Sequence, residues 1–375
     1  MLRASRPDEA PSPVRSRHKY LLAFTVPVTV WIALLGHGVW TFLPLLVYFG
    51  LVPALELLLD PVRDNLDGAD RSRAEADARW YDALLHAVAP VQVATLLLFL
   101  VQVREPGLSA LETVGRITAM GACCGILGIN AGHELGHRKD RLSRFLGQVA
   151  MLTSLENHFA PYHNRGHHRN VATPDDPATA RRGETVYRFW LRSHVGSWTS
   201  AWRLEAERLA TRGVTPGSPA WFAGNAMVVW TAAQVALLAA IGFLAGPVAL
   251  AGFLGAAAFG IVLLETVNYI EHYGLVRERR ANGAWERVGH RHSWNSDHPL
   301  GRTLLFELSR HSDHHFRAGK RYELLDSHAD SPQMPTGYPA MMLLALVPPL
   351  WFRTMHPRID RLQAPPGRSA AGATA

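Results

Sequence analysis

Two short stretches pose a chemical problem. "YHNRGHHRN" holds His163, His167 and His168, and "RHSDHHF" holds His311, His314 and His315. "GHELGHRKD" adds His133 and His137, and "NYIEHYGL" adds His272 directly after Glu271. On a helix, residues three or four apart share a face. The spacings His133/His137, His163/His167 and His311/His314 therefore present neighbouring imidazole nitrogens to one point, while an adjacent histidine reaches toward a second. Neutral imidazole suits Zn, Cu, Fe and Ni alike, so the ligand type does not name the metal. Taken alone, "HELGH" also satisfies His-Glu-x-x-His, with Glu134 as the general base of a zinc protease, and equally fits a chance structural pair. A zinc protease uses three protein ligands and an open position. These histidines are too many for it and suit two metals with four or five nitrogens each.

Ligating imidazoles need oriented partners. His158, His292 and His298 lie close to the clusters in sequence and are expected to hydrogen-bond to ligands rather than ligate; His290 reads the same way. Glu134, Glu271, Asp297 and Asp313 are the expected carboxylate partners. His18, His37, His86, His194, His328 and His356 stand apart and read as surface or interfacial. The chain has only two cysteines, Cys123 and Cys124, adjacent and inside an apolar run. That excludes a disulfide framework and a Cys-x-x-Cys metal site, leaving two small buried helix residues.

The elements that must position this chemistry are membrane helices. Uncharged runs fall at Leu21–Gly36, Val39–Leu55, Ala83–Val103 and Ile117–Gly132, and a longer one extends from Gly213 to Leu264. A bilayer core is crossed by roughly 20 residues, so the last run folds into two helices broken near Gly246 and Pro247. Six crossings result. "MMLLALVPPLWF" is short and contains Pro, which predicts an interfacial segment or one packed on the bundle. Lys and Arg concentrate before the first span, after the second and after the fourth, whereas "HG" and "AGPVAL" carry none. The positive-inside rule then puts both termini and every histidine cluster on the cytosolic face. The expected fold is an all-α integral membrane protein of six transmembrane helices with a cytosolic histidine-rich region. Residues 1–20 are expected as a flexible cytosolic tail, 21–358 as one membrane domain and 359–375 as a disordered tail.

"NAGHELGHRKD", "HNRGHHRNVATPDDPATARRGETVYRF", "NYIEHYGL", "HSWNSDH", "SRHSDHHFRAGKRYELL" and "PQMPTGYPAMMLLALVPPLWF" together resemble the membrane-bound alkane 1-monooxygenases, in that family's order, from the first span to about Arg358. The resemblance implies a non-haem centre of two iron ions, O2 as co-substrate and hydroxylation of the terminal methyl of medium- or long-chain n-alkanes. It implies electrons from a rubredoxin, itself reduced by a rubredoxin reductase, and location in a bacterial inner membrane. By matching motifs it carries the ligand role to His133, His137, His163, His167, His168, His272, His311, His314 and His315. Tyr162 and Ser309 depart from the family, which usually has Glu and often Gln there, so substrate identity is less fixed than reaction type. No rubredoxin is expected within the chain, since paired Cys-x-x-Cys motifs are absent, and no nucleic-acid partner is expected.

Related desaturases and xylene-type hydroxylases carry comparable clusters and are the alternative enzymes. A metal transporter is disfavoured, because transporters place ionisable ligands near the bilayer midplane and these spans carry almost none there. Two further expectations follow. Tyr48, about two turns above the cytosolic end of the second span, is the candidate stop of a substrate slot, against a simple packing role. Arg165, Arg169, Arg317 and Lys320 flank the clusters and are candidates for docking an acidic electron donor, against ordinary solvated charge; the chain's net charge is +7.

Overall fold

The computed structural model describes residues 16–363, and every regular element among them is helical, with only two isolated β-bridges. Six helices are long and apolar enough to cross a membrane. They are α1 (Arg17–Leu35), α2 (Gly38–Glu56), α3 (Ala78–Gln102), α4 (Ala110–Gly136), α7 (Ala226–Leu244) and α8 (Gly246–His272). Between α4 and α7 lie α5 (Arg141–Leu152) and the 25-residue α6 (Val186–Ala210). After α8 come the short α9 (His311–Phe316), α10 (Tyr338–Ala345) and α11 (Pro348–Gln363). The six expected spans are all present. Gly246 makes the break between α7 and α8 with φ +84°, a left-handed conformation that glycine adopts freely, and Pro247 opens α8.

Part of each expected tail is helical. Ser16 Oγ accepts from the backbone N–H of His18 and starts α1 at Arg17, so residues 17–20 are helical; residues 1–15 lie outside the described residues. At the other end, Trp351, Met355 and Ile359 repeat every four residues and are fully buried, Trp351 against Tyr269 and Tyr273. That stripe carries α11 past Arg358 to Gln363; residues 364–375 lie outside the described residues. "MMLLALVPPLWF" is thus packed on the bundle, as one of its two expected placements.

Lipid tails are as apolar as leucine, so these helices associate through close packing rather than water exclusion. α4 and α8 approach through small residues. A Cβ added to Gly121 would lie 2.7 Å from the Ala256 carbonyl oxygen, one on Gly125 would meet Leu263 at 2.8 Å, and one on Gly260 would meet Cys124 at 2.7 Å. The two cysteines are free and fully buried in this seam, as expected. At the far end of the spans a charge is buried where almost none was expected. Arg116 donates to the Gln102 carbonyl at 2.5 Å and the Gly36 carbonyl at 3.1 Å, and pairs with Glu105 at 2.7 Å. One guanidinium thereby satisfies carbonyls at the C-terminal ends of α1 and α3.

Helical winding loosens at three places. Val47–Leu51, Cys123–Ile129 and His163–His167 are π-helical. Such segments tend to coincide with functional sites, and each of these borders the site described below.

The α4–α8 seam yields a prediction. Gly121→Val should destabilise the protein by about 1–3 kcal/mol, the range for overpacking a close contact, seen as a lower melting temperature in detergent. Gly50→Ala, where an added Cβ meets nothing within 4 Å, should melt like the parent.

Candidate metal centre

His133 closes the last turn of α4 and His137 caps it. His272 is the last residue of α8, and His311, His314 and His315 lie on α9. All meet the His163–His168 segment at one end of the bundle. Their donor nitrogens form two groups: His133, His137, His163, His168 and His314 in one, and His167, His272, His311 and His315 in the other. The nine histidines therefore divide five and four, within the four or five expected for each metal.

The division differs from the one that helical spacing predicts. π winding brings His163 to within 2.9 Å of His168, five residues on, and sends His167 to the other group. On α9 the pair is His311 with His315, and His314 crosses to the first group. Each adjacent His-His pair is split between the groups.

The fit to metal ions follows from the nitrogen positions. His133 Nε2 lies 2.9 Å from His163 Nε2, 3.0 Å from His314 Nε2 and 3.2 Å from His137 Nε2. A neutral imidazole carries one proton and cannot satisfy three such neighbours. Two nitrogens bound at right angles, each about 2.1 Å from one metal, would sit about 3.0 Å apart. In the second group His272 and His311 Nε2 are 3.1 Å apart, and the Nε2 atoms of His167 and His315 are buried with no hydrogen-bond partner. Burial keeps the imidazolium forms of His163, His168, His311, His314 and His315 well below the usual histidine range. Burial, then Arg138, brings His137 down to about 3. The lone pairs are free for a metal at neutral pH.

The supporting residues are largely not the expected ones. Glu271 does contact a ligand: its Oε2 is 3.2 Å from His311 Nε2, and its Oε1 accepts from Tyr338 Oη at 2.9 Å. The other expected partners turn elsewhere. Glu134 pairs with Arg138 at 3.0 Å. Asp313 lies on the reverse face of α9 and holds Lys320, His328 and the Asp326 N–H. Asp297 binds Arg310 and Ser327, His298 binds Ser296, and the His292 ring binds Glu286 and the Gly289 N–H. Their side chains fix the loops that carry α9 rather than the ligands, although the His292 backbone hydrogen-bonds the His272 ring. His158 belongs to a separate cluster with Glu156 and His194, so His194 is not a lone surface histidine.

Sequence reasoning missed Asp176, within the quoted "TPDDPATA". Its Oδ2 is 2.9 Å from His167 Nδ1, which leaves His167 Nε2 for the metal side. Burial pushes the Asp176 carboxyl up, but His167 and the hydroxyls of Tyr162 and Thr179 outweigh it and bring it to about 2. Tyr162 donates to Asp176 Oδ1, and its own oxygen accepts the Ala178 N–H at 3.1 Å. Ser309 donates to the Ser296 carbonyl at 2.8 Å, stitching α9's lead-in to the 293–297 segment. Among the described residues both carboxylates that touch a ligand, Asp176 and Glu271, serve the four-histidine group, whereas Arg138 lies beside His137. The four-histidine position is electrostatically the better host for positive charge.

An apolar pocket with about 800 Å³ of empty space, its open mouth included, leads to these nitrogens. Tyr48 and Phe49 of α2, Gly125, Ile126 and Ile129 of α4 and Leu263 of α8 line it, and His133, His163, His311 and Glu271 lie at its metal end. From Gly125 to His133 along α4 it spans about 12 Å. Tyr48 lines it with its hydroxyl tied to Thr25 Oγ1 at 2.9 Å. Of the four cations expected to dock a partner, Arg165 is paired with buried Glu205, and Lys320 is largely buried between Asp313 and Asp326. Arg169 and Arg317 are exposed, Arg317 lying 5.5 Å over the ring of exposed Phe316, next to His315.

Comparison with known proteins agrees with this architecture. The family model for fatty acid desaturases matches residues 112–345. Alkane 1-monooxygenase 1 of Alcanivorax borkumensis is 36% identical over 94% of this chain and 89% of its own. Alkane 1-monooxygenase 1 of Pseudomonas aeruginosa is 37% identical over 90% and 88%. The xylene/toluene monooxygenase hydroxylase component of Pseudomonas putida aligns over 92% of this chain at 29% identity. A split histidine cluster at one end of an apolar pocket, on six apolar helices, and near-full-length similarity converge: the chain belongs to the alkane 1-monooxygenase family of oxidoreductases, within the wider fatty acid desaturase family.

Proposed function

We propose that the chain is a rubredoxin-dependent di-iron monooxygenase that converts medium- or long-chain n-alkanes to 1-alkanols. One atom of O2 enters the product and the other leaves as water, with electrons from reduced rubredoxin and protons from solvent. The carrying observation is the apolar pocket that ends on histidines of both metal groups. Hydroxylation of alkanes rather than of a methylarene is favoured by the higher identity to the alkane 1-monooxygenases. We place the metal end and both termini in the cytosol of a bacterium, with the spans in its inner membrane, on the distribution of Lys and Arg.

Two iron ions held by the nine histidines would supply O2 activation and oxidation of an unactivated C–H bond. The chain's own residues do the rest. The pocket walls exclude water and confine a linear chain so that its terminal methyl faces the histidine end. Asp176 fixes the His167 tautomer, with Tyr162 fixing Asp176. Glu271, anchored by Tyr338, lies beside His311 at the pocket's end, where it can ligate or hold a proton. Tyr48 and Phe49 line the pocket about two turns above Glu56, the last residue of α2.

The ligand assignment is tested by His315→Ala, which should abolish alkanol formation and lower bound iron while the protein still inserts and stays folded. Asp176→Asn should act more mildly, reducing metal affinity by about 10–100-fold, the usual cost of losing a partner of a ligand. Iron analysis of the purified proteins checks both; parental iron in His315→Ala would remove the nine-histidine centre.

Chain length is tested at Tyr48. A buried methylene contributes only about 0.8 kcal/mol, so selection among alkanes must come from steric blockage. Tyr48→Ala should extend activity toward longer alkanes and leave shorter ones oxidised at the terminal carbon. A product profile over an alkane series, in a variant with normal iron, decides it; an unchanged profile assigns Tyr48 to packing.

Electron delivery should weaken with salt. The Debye length falls from about 10 Å at 0.1 M to about 3 Å at 1 M, so the rubredoxin-driven rate should drop across that range. Arg169→Ala and Arg317→Ala should lower it further at low salt and flatten the salt dependence, whereas a rate independent of salt would oppose electrostatic docking.

A further inference from the structure

A second kind of ionisable cluster lies apart from the nine histidines. Glu156 on the turn after α5, His158 beyond it and His194 on α6 bring one donor atom each to within 4.8 Å of one another. His158 Nδ1 is 3.1 Å from Glu156 Oε2, and His194 Nδ1 is 3.4 Å from Glu156 Oε1. Glu265 of α8 approaches the same His194 nitrogen with Oε1 at 4.0 Å. The side chains of Glu156, His158 and Glu265 are 1%, 4% and 3% exposed, and that of His194 is 34% exposed.

Hydrogen bonding decides which nitrogen of His158 carries a proton. Ser197 Oγ donates to the His194 carbonyl at 2.9 Å, which commits the hydroxyl proton. His158 Nε2, 3.1 Å from that Oγ, must then donate to it. In a neutral ring the remaining nitrogen, Nδ1, is a bare lone pair, and it faces a buried carboxylate oxygen at 3.1 Å. Two acceptors in contact away from water require a cation between them. Neither Glu156 oxygen has a hydrogen-bond partner, nor does His194 Nδ1. His158 Nδ1 and His194 Nδ1 flank the two oxygens of the one Glu156 carboxylate.

The spacing suits a metal ion. Nitrogen and oxygen ligands about 2.1 Å from one ion lie about 3.0–4.2 Å apart, from right-angled to opposed, and the 3.1, 3.4 and 4.0 Å separations fall in that range. Two imidazoles with one or two carboxylates form a donor set taken by Zn2+ and by non-haem Fe2+. A divalent ion would also neutralise both carboxylates, and the partly exposed His194 gives it an entry path. We propose that Glu156, His158 and His194 bind a third, mononuclear divalent metal ion, with Glu265 as fourth ligand or counter-charge. It would clamp the turn leading to His163 onto α6 and α8, as a structural ion outside the reaction.

The test counts metals on the full-length, iron-loaded protein after equilibration with Zn2+ and removal of the excess. The parent should carry one Zn2+ per chain beyond its iron, and Glu156→Gln and His194→Ala should lose that equivalent with the iron count unchanged. Co2+ in place of Zn2+ should give visible d–d absorption in the parent that both variants lack. The two substitutions, one nearly isosteric and one at a partly exposed position, guard against a folding failure in either. Equal total metal content, iron and zinc together, in parent and variants would overturn the proposal and leave a protonated histidine on Glu156.

Discussion

Nine imidazole nitrogens gathered into two groups, within each of which they lie no more than 4.8 Å apart, repel one another unless positive charge lies between them. Much else in the molecule serves to hold them there regardless. Burial holds His163, His168, His311, His314 and His315 neutral, which leaves their lone pairs directed inward. The backbone around them is held by ion pairs that do not involve the ligands. Glu307, with φ +58°, accepts from Tyr20 at 2.9 Å and pairs with Lys19 at 2.7 Å and Arg302 at 2.6 Å. Arg310, the residue before α9, binds Asp297 and the carbonyls of Val62, Asp64 and Leu325. Removing one partner of such a buried network costs far more than the network contributes over an apolar substitute, so it acts as a positional clamp for α9.

The site joins two solvents. Its metal end is built from loops and short helices rich in hydrogen bonds, and its pocket from membrane helices packed by contact alone. Both depend on the same residues where they meet. Asn130 and His133 continue the helix whose Gly125 and Ile126 line the pocket, and Glu271 and His272 continue the one that supplies Leu263. The glycine seam between α4 and α8 therefore sets the pocket's width and the separation of two metal ligands at once. The π segments serve the same end, shifting side chains by a fraction of a turn where regular winding would aim them past the site.

The two metal positions are chemically unequal. Asp176 orients His167, and Glu271 lies against His311, while the five-histidine group has Arg138 at its edge. Tyr162 moderates that asymmetry: it holds Asp176 through a neutral hydroxyl and adds no negative charge of its own.

Much of this was legible in the sequence. Uncharged runs of bilayer length dictate six spans whatever they pack against, and the number and clustering of histidines pointed to two groups of metal-binding residues, as the structure has them. What local spacing could not supply was the sharing of ligands. His167 and His168, and His314 and His315, part company because of a π turn and the approach of distant helices, neither of which leaves a periodic trace. Carboxylate partners were equally hidden: Asp313 is next to a ligand in sequence but points away from it, whereas Asp176 is eight residues beyond His168 and folds back to His167. Arg165 and Lys320 read as free cations until Glu205, Asp313 and Asp326 are brought to them. His194 read as a surface residue until α6 packed it against Glu156 and Glu265. Composition and periodicity determine which segments leave water and which residue types can do chemistry. Hydrogen bonds and ion pairs act over a few ångströms between residues far apart in the chain, so which group meets which was decided only by the tertiary structure.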